Sequence, residues 1–192
     1  PVAITTAATD SPWGNYPISV SGGEADNYSF AYIGGTLTVL DNSIIYVKNG
    51  SHGTGISWTD AVGELSDALL IAEQNPKIKQ IWVAAGTYKP AVEVGGTGER
   101  YKSFSLKNGV AVYGGFAGAE PRNSDISLRD FANNQTVLSG DIGIENDNSD
   151  NCYHVFNHPD GTVLNQSAIL DGFTVTGGNA NGYPDNNFGG GI

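Results

Sequence analysis

The densest set of hard oxygen donors in the chain is GDIGIENDNSDN at 140–151, which offers Asp141, Glu145, Asp147 and Asp150 with Asn146, Asn148 and Asn151 among them. Carboxylate and amide oxygens gathered on one short segment are the ligands Ca2+ takes, at about 2.3–2.6 Å. The spacing is not that of an EF-hand, whose loop needs a glycine midway and a closing glutamate. Two readings stay open for this stretch: a Ca2+ loop built on Asp141, Glu145, Asp147 and Asp150, and a solvated Asn/Asp connection between strands. NANGYPDNN at 179–187 carries the same pair of readings.

Acid–base and nucleophilic chemistry has thinner support. The histidines are His52, His154 and His158, and His154 alternates with Tyr153 and Val155 as a packed strand residue does. No Cys/His spacing suggests zinc. Cys152 reads as a small buried apolar residue and, being alone, closes no internal disulfide. A polysaccharide lyase needs a basic residue to take the proton beside a uronate carboxylate, with Ca2+ or Arg neutralising that carboxylate. A glycoside hydrolase needs two facing carboxyls. The basic residues here are scattered, with Lys89, Arg100, Lys102 and Lys107 around one loop and Arg122 and Arg129 in a turn. No catalytic residue is named on this basis.

Composition narrows the partners. The chain has 192 residues, 27 glycines, no methionine and a formal charge of −11, with a pI near 4.4. Such acidity argues against nucleic acid and anionic membrane surfaces. No apolar run approaches the ~18 residues of a membrane span.

The elements that must position these residues are mostly short strands. YPISVS (16–21) sets Tyr16, Ile18 and Val20 on one face, YSFAYI (28–33) sets Tyr28, Phe30 and Tyr32 together, and TLTVL (36–40) pairs Leu37 with Val39. Period-two alternation bounded by Gly, Asn and Asp is the strand and hairpin signature. SIIYVKNG (43–50) reads as a further strand. The period then changes: Trp58, Ala61, Val62, Leu65, Leu69 and Ala72 form one stripe, which predicts an amphipathic helix over about 57–75. Ser57 with Asp60 resembles a capping box, and Asn75-Pro76 ends the run. Strand patterns return at 80–86, 103–106, 109–115, 136–140, 153–156 and 169–178, several followed by a diglycine. These patterns fit an antiparallel sandwich, or stacked parallel turns whose open end the helix covers.

Two resemblances bear on the choice. Gly14 to Ile18, then Asn27-Tyr28, then Tyr32 to Val39 resemble the C-terminal half of an MBG-type repeat, a β module found in tandem in bacterial surface proteins. IYVKNGSHGTGISWTDAVGELSDAL, IWVAAGTYKP, SFSLKNGVAVYGGFAGAE, TVLSGDI, NCYHVF and LDGFTVTGGNA together resemble the N-terminal part of secreted, pectin-lyase-like proteins, including choice-of-anchor and polymorphic outer membrane proteins. The second resemblance implies a mainly all-β fold, a right-handed parallel β-helix with an amphipathic capping helix, preceded by a partial β module. The expected domains are residues 1–41 as the half module, 42–108 as the cap with its first strands, and 109–192 as the first coils. Val110 and Val112 are expected to face the core. Gly114-Gly115 and Gly177-Gly178 are expected where a Cβ would strike the neighbouring rung.

Both ends fall inside recognisable units, so the expectation is a segment that continues into, or pairs with, further modules of a parent protein. The function this implies is a non-catalytic stalk and adhesive surface of a secreted or cell-surface protein of a Gram-negative bacterium, turned toward polysaccharide or cell-surface glycans. One alternative is the leading part of a polysaccharide lyase or hydrolase whose site lies in later coils. Another is a structural filament component. Trp13, Tyr88 and Tyr183 are aromatics with the chemistry to stack on sugar rings, although packing is the plainer role for each.

Overall fold

Alternation in the first stretch builds a small antiparallel sheet. The computed structural model describes residues 1–8, 11, 14–122, 124–182 and 186–191, and the chain divides into two units, Pro1–Asp41 and Asn42–Ile192. In the first unit β1 (Val2–Thr5), β2 (Gly14–Ser21) and β3 (Gly35–Val39) lie in the order β1-β2-β3. Tyr16, Ile18 and Val20 are the half-buried face of β2, as the pattern predicts. Pro17, which has no N–H to give, is tolerated in this middle strand because β1 stops at Thr5 opposite Ile18. The stretch 28–33 is not a strand, contrary to the expectation. The chain leaves the sheet ahead of Gly34, where a side chain would stand 2.9 Å from the Ile18 carbonyl oxygen. Tyr28 and Ile33 are consequently exposed, and the Phe30 and Tyr32 rings stack on each other.

The second unit carries one helix and seven strands among its described residues: β4 (Ile44–Val47), α1 (Leu65–Gln74), β5 (Gln80–Ala84), β6 (Gly86–Tyr88), β7 (Ala111–Phe116), β8 (Thr136–Ser139), β9 (Ile169–Asp171) and β10 (Thr174–Thr176). Two parallel sheets result, ordered β4-β5-β7-β9 and β6-β8-β10. Residues of the larger sheet point alternately to two cores, which is why β4 and β5 read as nearly continuous apolar runs. Ile45, Ile81 and Val112 stand in register on one face and join Leu65, Ala68 and Ala72 of α1, together with Leu138, Val155 and Phe156. Val110 belongs to the same core, as expected. The other face holds four aromatics: the Tyr46 ring lies edge-on to Trp58 and Trp82, and Trp82 stacks on Phe116 at 4.6 Å between centroids.

The expectation of an all-β, right-handed parallel β-helix under a capping helix is corrected. The structure has one antiparallel sheet and two parallel sheets with a helix, a mixed arrangement. Period-two alternation reports which side of a strand is buried; it does not ensure that successive segments form regular rungs. The patterns at 103–106 and 153–156 contribute only an isolated bridge, Phe104 to Phe156. The run 169–178 is split into β9 and β10 by Gly172, which turns at φ 85°.

The helix is also shorter than its stripe. Ser57 caps a 3-10 turn at Trp58–Asp60, and α1 starts only at Leu65. Val62 cannot be helical because its N–H donates to the Tyr46 carbonyl and its own carbonyl accepts from Lys48 N. The diglycine expectation rests on close approach, and the geometry is tight there. A Cβ on Gly114 would stand 2.5 Å from the Gly172 carbonyl oxygen on the next strand segment.

Candidate functional site

Residues 140–151 leave β8 and fold back onto it. Gly140 N donates to the Thr176 carbonyl, and Cys152 N returns to the Gly140 carbonyl, so both ends of the loop are pinned. Within it each aspartate holds a backbone amide. Asp150 Oδ2 accepts from Ile144 N at 2.7 Å, Asp141 Oδ2 from Asn146 N at 3.0 Å, and Asp147 Oδ1 from Ser149 N at 2.9 Å. Asn146 takes the left-handed conformation at φ 66°, which asparagine tolerates better than most residues. The Asp150 carboxylate packs over Gly143, where a Cβ would come within 2.3 Å of Oδ2. Asn179 Nδ2 donates to the Asn148 carbonyl from outside the loop.

The four carboxylates named from the sequence do not share one environment. Asp147 is held below the usual carboxylate range by its hydrogen bonds from Ser149, and Glu145 is exposed. Among the described residues no three His, Cys, Asp or Glu side chains gather as a metal set. Three oxygens behave differently. Oδ1 of Asp141, of Asp150 and of Asn151 are each buried without a hydrogen-bond partner, and Asn151 as a whole is only 3% exposed. Asn151 stood in the sequence as one amide among several; its burial carried no signal there.

In the stretch 179–187, residues 183–185, and with them Tyr183 and Asp185, lie outside the described residues. A cation already serves the part that is described. The Arg100 guanidinium donates through Nε to the Asn151 carbonyl at 2.6 Å and through Nη2 to the Asn179 carbonyl at 2.9 Å and Asn181 Oδ1 at 2.7 Å. It also lies over the Tyr153 ring, 4.1 Å from the centroid. Scattered basic residues gave no hint of this role, because the three acceptors come from far along the chain.

Of the groups that usually carry acid–base or nucleophilic chemistry, His52 is exposed, and His154, His158, Cys152 and Tyr88 have other work. His158 Nε2 accepts from Leu106 N at 2.9 Å, and burial pushes its pKa below the usual histidine value. His154 reaches the Gly189 carbonyl and Asn186 Oδ1. Burial pushes the Cys152 thiol up to about 11 and the Tyr88 phenol up to about 12. Tyr88 is fully buried, its hydroxyl donating to the Ala84 carbonyl, so it offers no ring to a sugar. Trp13 lies outside the described residues.

A groove of about 520 Å³ runs beside α1, lined by Leu69, Leu70, Glu73, Val92, Phe104 and Leu164 among others. Several of its polar side chains are engaged in structure. Ser103 Oγ donates to the His154 carbonyl, Ser105 Oγ to the Asn157 carbonyl, and Lys107 Nζ to the Ala72 and Glu73 carbonyls at the end of α1.

The three-stranded unit is where kinship shows. Residues 2–38 match the MBG domain, YGX type. The MBG segment takes in β1 and β2 whole and all but the last residue of β3, and it begins well ahead of the Gly14–Val39 stretch that carried the resemblance in the sequence. Neither a curated protein nor a solved structure matches the chain.

Proposed function

We propose that this chain is a non-catalytic segment of a large surface protein of a Gram-negative bacterium, serving as stalk and as an adhesive face toward polysaccharide or cell-surface glycans. The observation that carries the reading is the MBG match over residues 2–38, since MBG domains are repeat modules of surface or secreted proteins. The fold of that segment supports it. A three-stranded sheet with Val2, Ile4 and Leu37 exposed has too little interior to serve alone, and suits a module that works in series with others. The charge of −11 and the many exposed Asn, Thr and Asp groups suit a hydrated outer surface that meets neutral, hydroxyl-rich partners. His158 and Tyr88 are engaged by backbone hydrogen bonds and Cys152 is buried, so these three groups serve the packing of the segment itself.

The test is made on whole cells. An antibody raised against this chain should label intact, unpermeabilised cells of the source organism, and labelling that needs permeabilisation overturns the surface reading. The purified chain should bind members of a polysaccharide panel saturably and release no unsaturated or reducing-end product. Turnover of any member overturns the non-catalytic reading.

A further inference from the structure

We propose that the 140–151 loop binds a Ca2+ ion through Asp141, Asp150 and Asn151, with Glu145 and Asp147 outside the ligand set. A run of acidic residues alone would not support this, since such loops are commonly just solvated. What points to a ligand is the set of three buried acceptors without partners: Oδ1 of Asp141, Oδ1 of Asp150 and Oδ1 of Asn151. An unpartnered buried acceptor forfeits its hydration, so native structures rarely leave one, let alone three on one loop. Asn151 is the decisive member. It is 3% exposed, and its Nδ2 donates to Asn148 Oδ1 at 3.4 Å, which ties the amide to another residue of the loop and leaves its oxygen unused.

The division of labour within each aspartate supports the same conclusion. Asp141 and Asp150 each spend one oxygen, Oδ2, on a backbone amide of the loop, Asn146 N and Ile144 N. The second oxygen of each is left over. Two carboxylates fixed in this way offer one oxygen apiece at almost no ordering cost, and the amide adds a neutral third. All three donors are hard oxygens, which selects Ca2+ over softer metals. A loop held by its own backbone bonds suits the adaptable shell of Ca2+ better than the strict octahedron of Mg2+. Further ligands would be water or loop carbonyls. One charge opposes binding: Arg100, whose Nε bonds the Asn151 carbonyl. With two ligating carboxylates set against a nearby cation, the site belongs in the weak class of extracellular modules, with Kd of about 10⁻⁴–10⁻³ M.

The inference does not depend on the surface reading, and its test is separate. The full chain is stripped with chelator and titrated with CaCl2 by calorimetry, and its thermal midpoint is followed in parallel. Saturable binding of one Ca2+ is expected, with a midpoint rise of about 3–6 °C at ten times Kd, and MgCl2 at least about ten-fold weaker. Asp150→Asn and Asp141→Asn keep an oxygen for the loop amide while removing the charge, and each should weaken binding at least about ten-fold. Glu145→Gln and Asp147→Asn should leave Kd within about two-fold, since neither supplies a ligand. The absence of saturable Ca2+ heat in the wild-type chain overturns the site, whatever the variants do. Equal loss in Asp147→Asn and Asp150→Asn overturns the ligand assignment.

Discussion

Ile81 is the residue on which the parallel architecture of the second unit can be tested most directly. It is fully buried in β5, between Ile45 of β4 and Val112 of β7. Truncation to alanine removes three carbons from that column. The lost transfer energy is about 2.4 kcal/mol at roughly 0.8 kcal/mol per buried methylene. The neighbouring strands are held by backbone bonds on both sides and collapse poorly, so a cavity term of about 24 cal/mol per Å³ raises the cost to roughly 3–4 kcal/mol. Ile81→Val removes one carbon and should cost about 1 kcal/mol. Val163→Ala, at a position 80% exposed, should stay within about 0.5 kcal/mol of wild type. The assay is equilibrium urea unfolding followed by tryptophan fluorescence, because Trp58 and Trp82 both sit in the aromatic core of this unit. The midpoint should move in that order while the slope stays constant. If Ile81→Ala costs no more than Val163→Ala, Ile81 does not occupy the column between β4 and β7.

Two further outcomes follow from close contacts. Gly114→Ala should destabilise by about 1–3 kcal/mol, since its Cβ meets the Gly172 carbonyl at 2.5 Å and β7 must part from the Gly172 turn, and a calorimetric midpoint equal to wild type refutes that approach. His158 gives a pH dependence. Its folded pKa lies below the unfolded value near 6.5, so the unfolded chain binds the proton first. Stability should be complete above that value and fall as pH drops through it toward the folded pKa. In His158→Gln that slope should vanish from a plot of thermal midpoint against pH, and an unchanged slope assigns it elsewhere.

How far the sequence carried the structure depended on range. Faces were legible, because burial on one side of a strand leaves a period in the residues themselves: Tyr16, Ile18 and Val20 share a face, and Val110 and Val112 lie in the core. Pairing was not. Phe104 and Phe156 look like members of two strands, yet they meet in a single bridge, a fact about partners far apart in the chain. The helix stripe began too early for a similar reason. Val62 fits the period, but its backbone is claimed by Tyr46 and Lys48. At the candidate site the carboxylates were visible as a run. Which of their oxygens remain free was decided by the loop amides of Asn146, Ile144 and Ser149, and by the burial of Asn151.

Arg100 has a consequence for the conditions in which this fold survives. Many proteins outside the cytoplasm hold distant segments together with disulfides, and so depend on an oxidising surrounding. Here a single side chain gathers Asn151, Asn179 and Asn181, separated from it by 51, 79 and 81 positions, and it does so with charge-assisted hydrogen bonds. A guanidinium is indifferent to thiols and oxidants, and a lysine could not reproduce its fork. The chain's one cysteine is buried beside this tie with its thiol proton held tightly. The long-range closure of the second unit is therefore redox-silent, the same in a reducing cytosol as in the oxygenated medium beyond the cell.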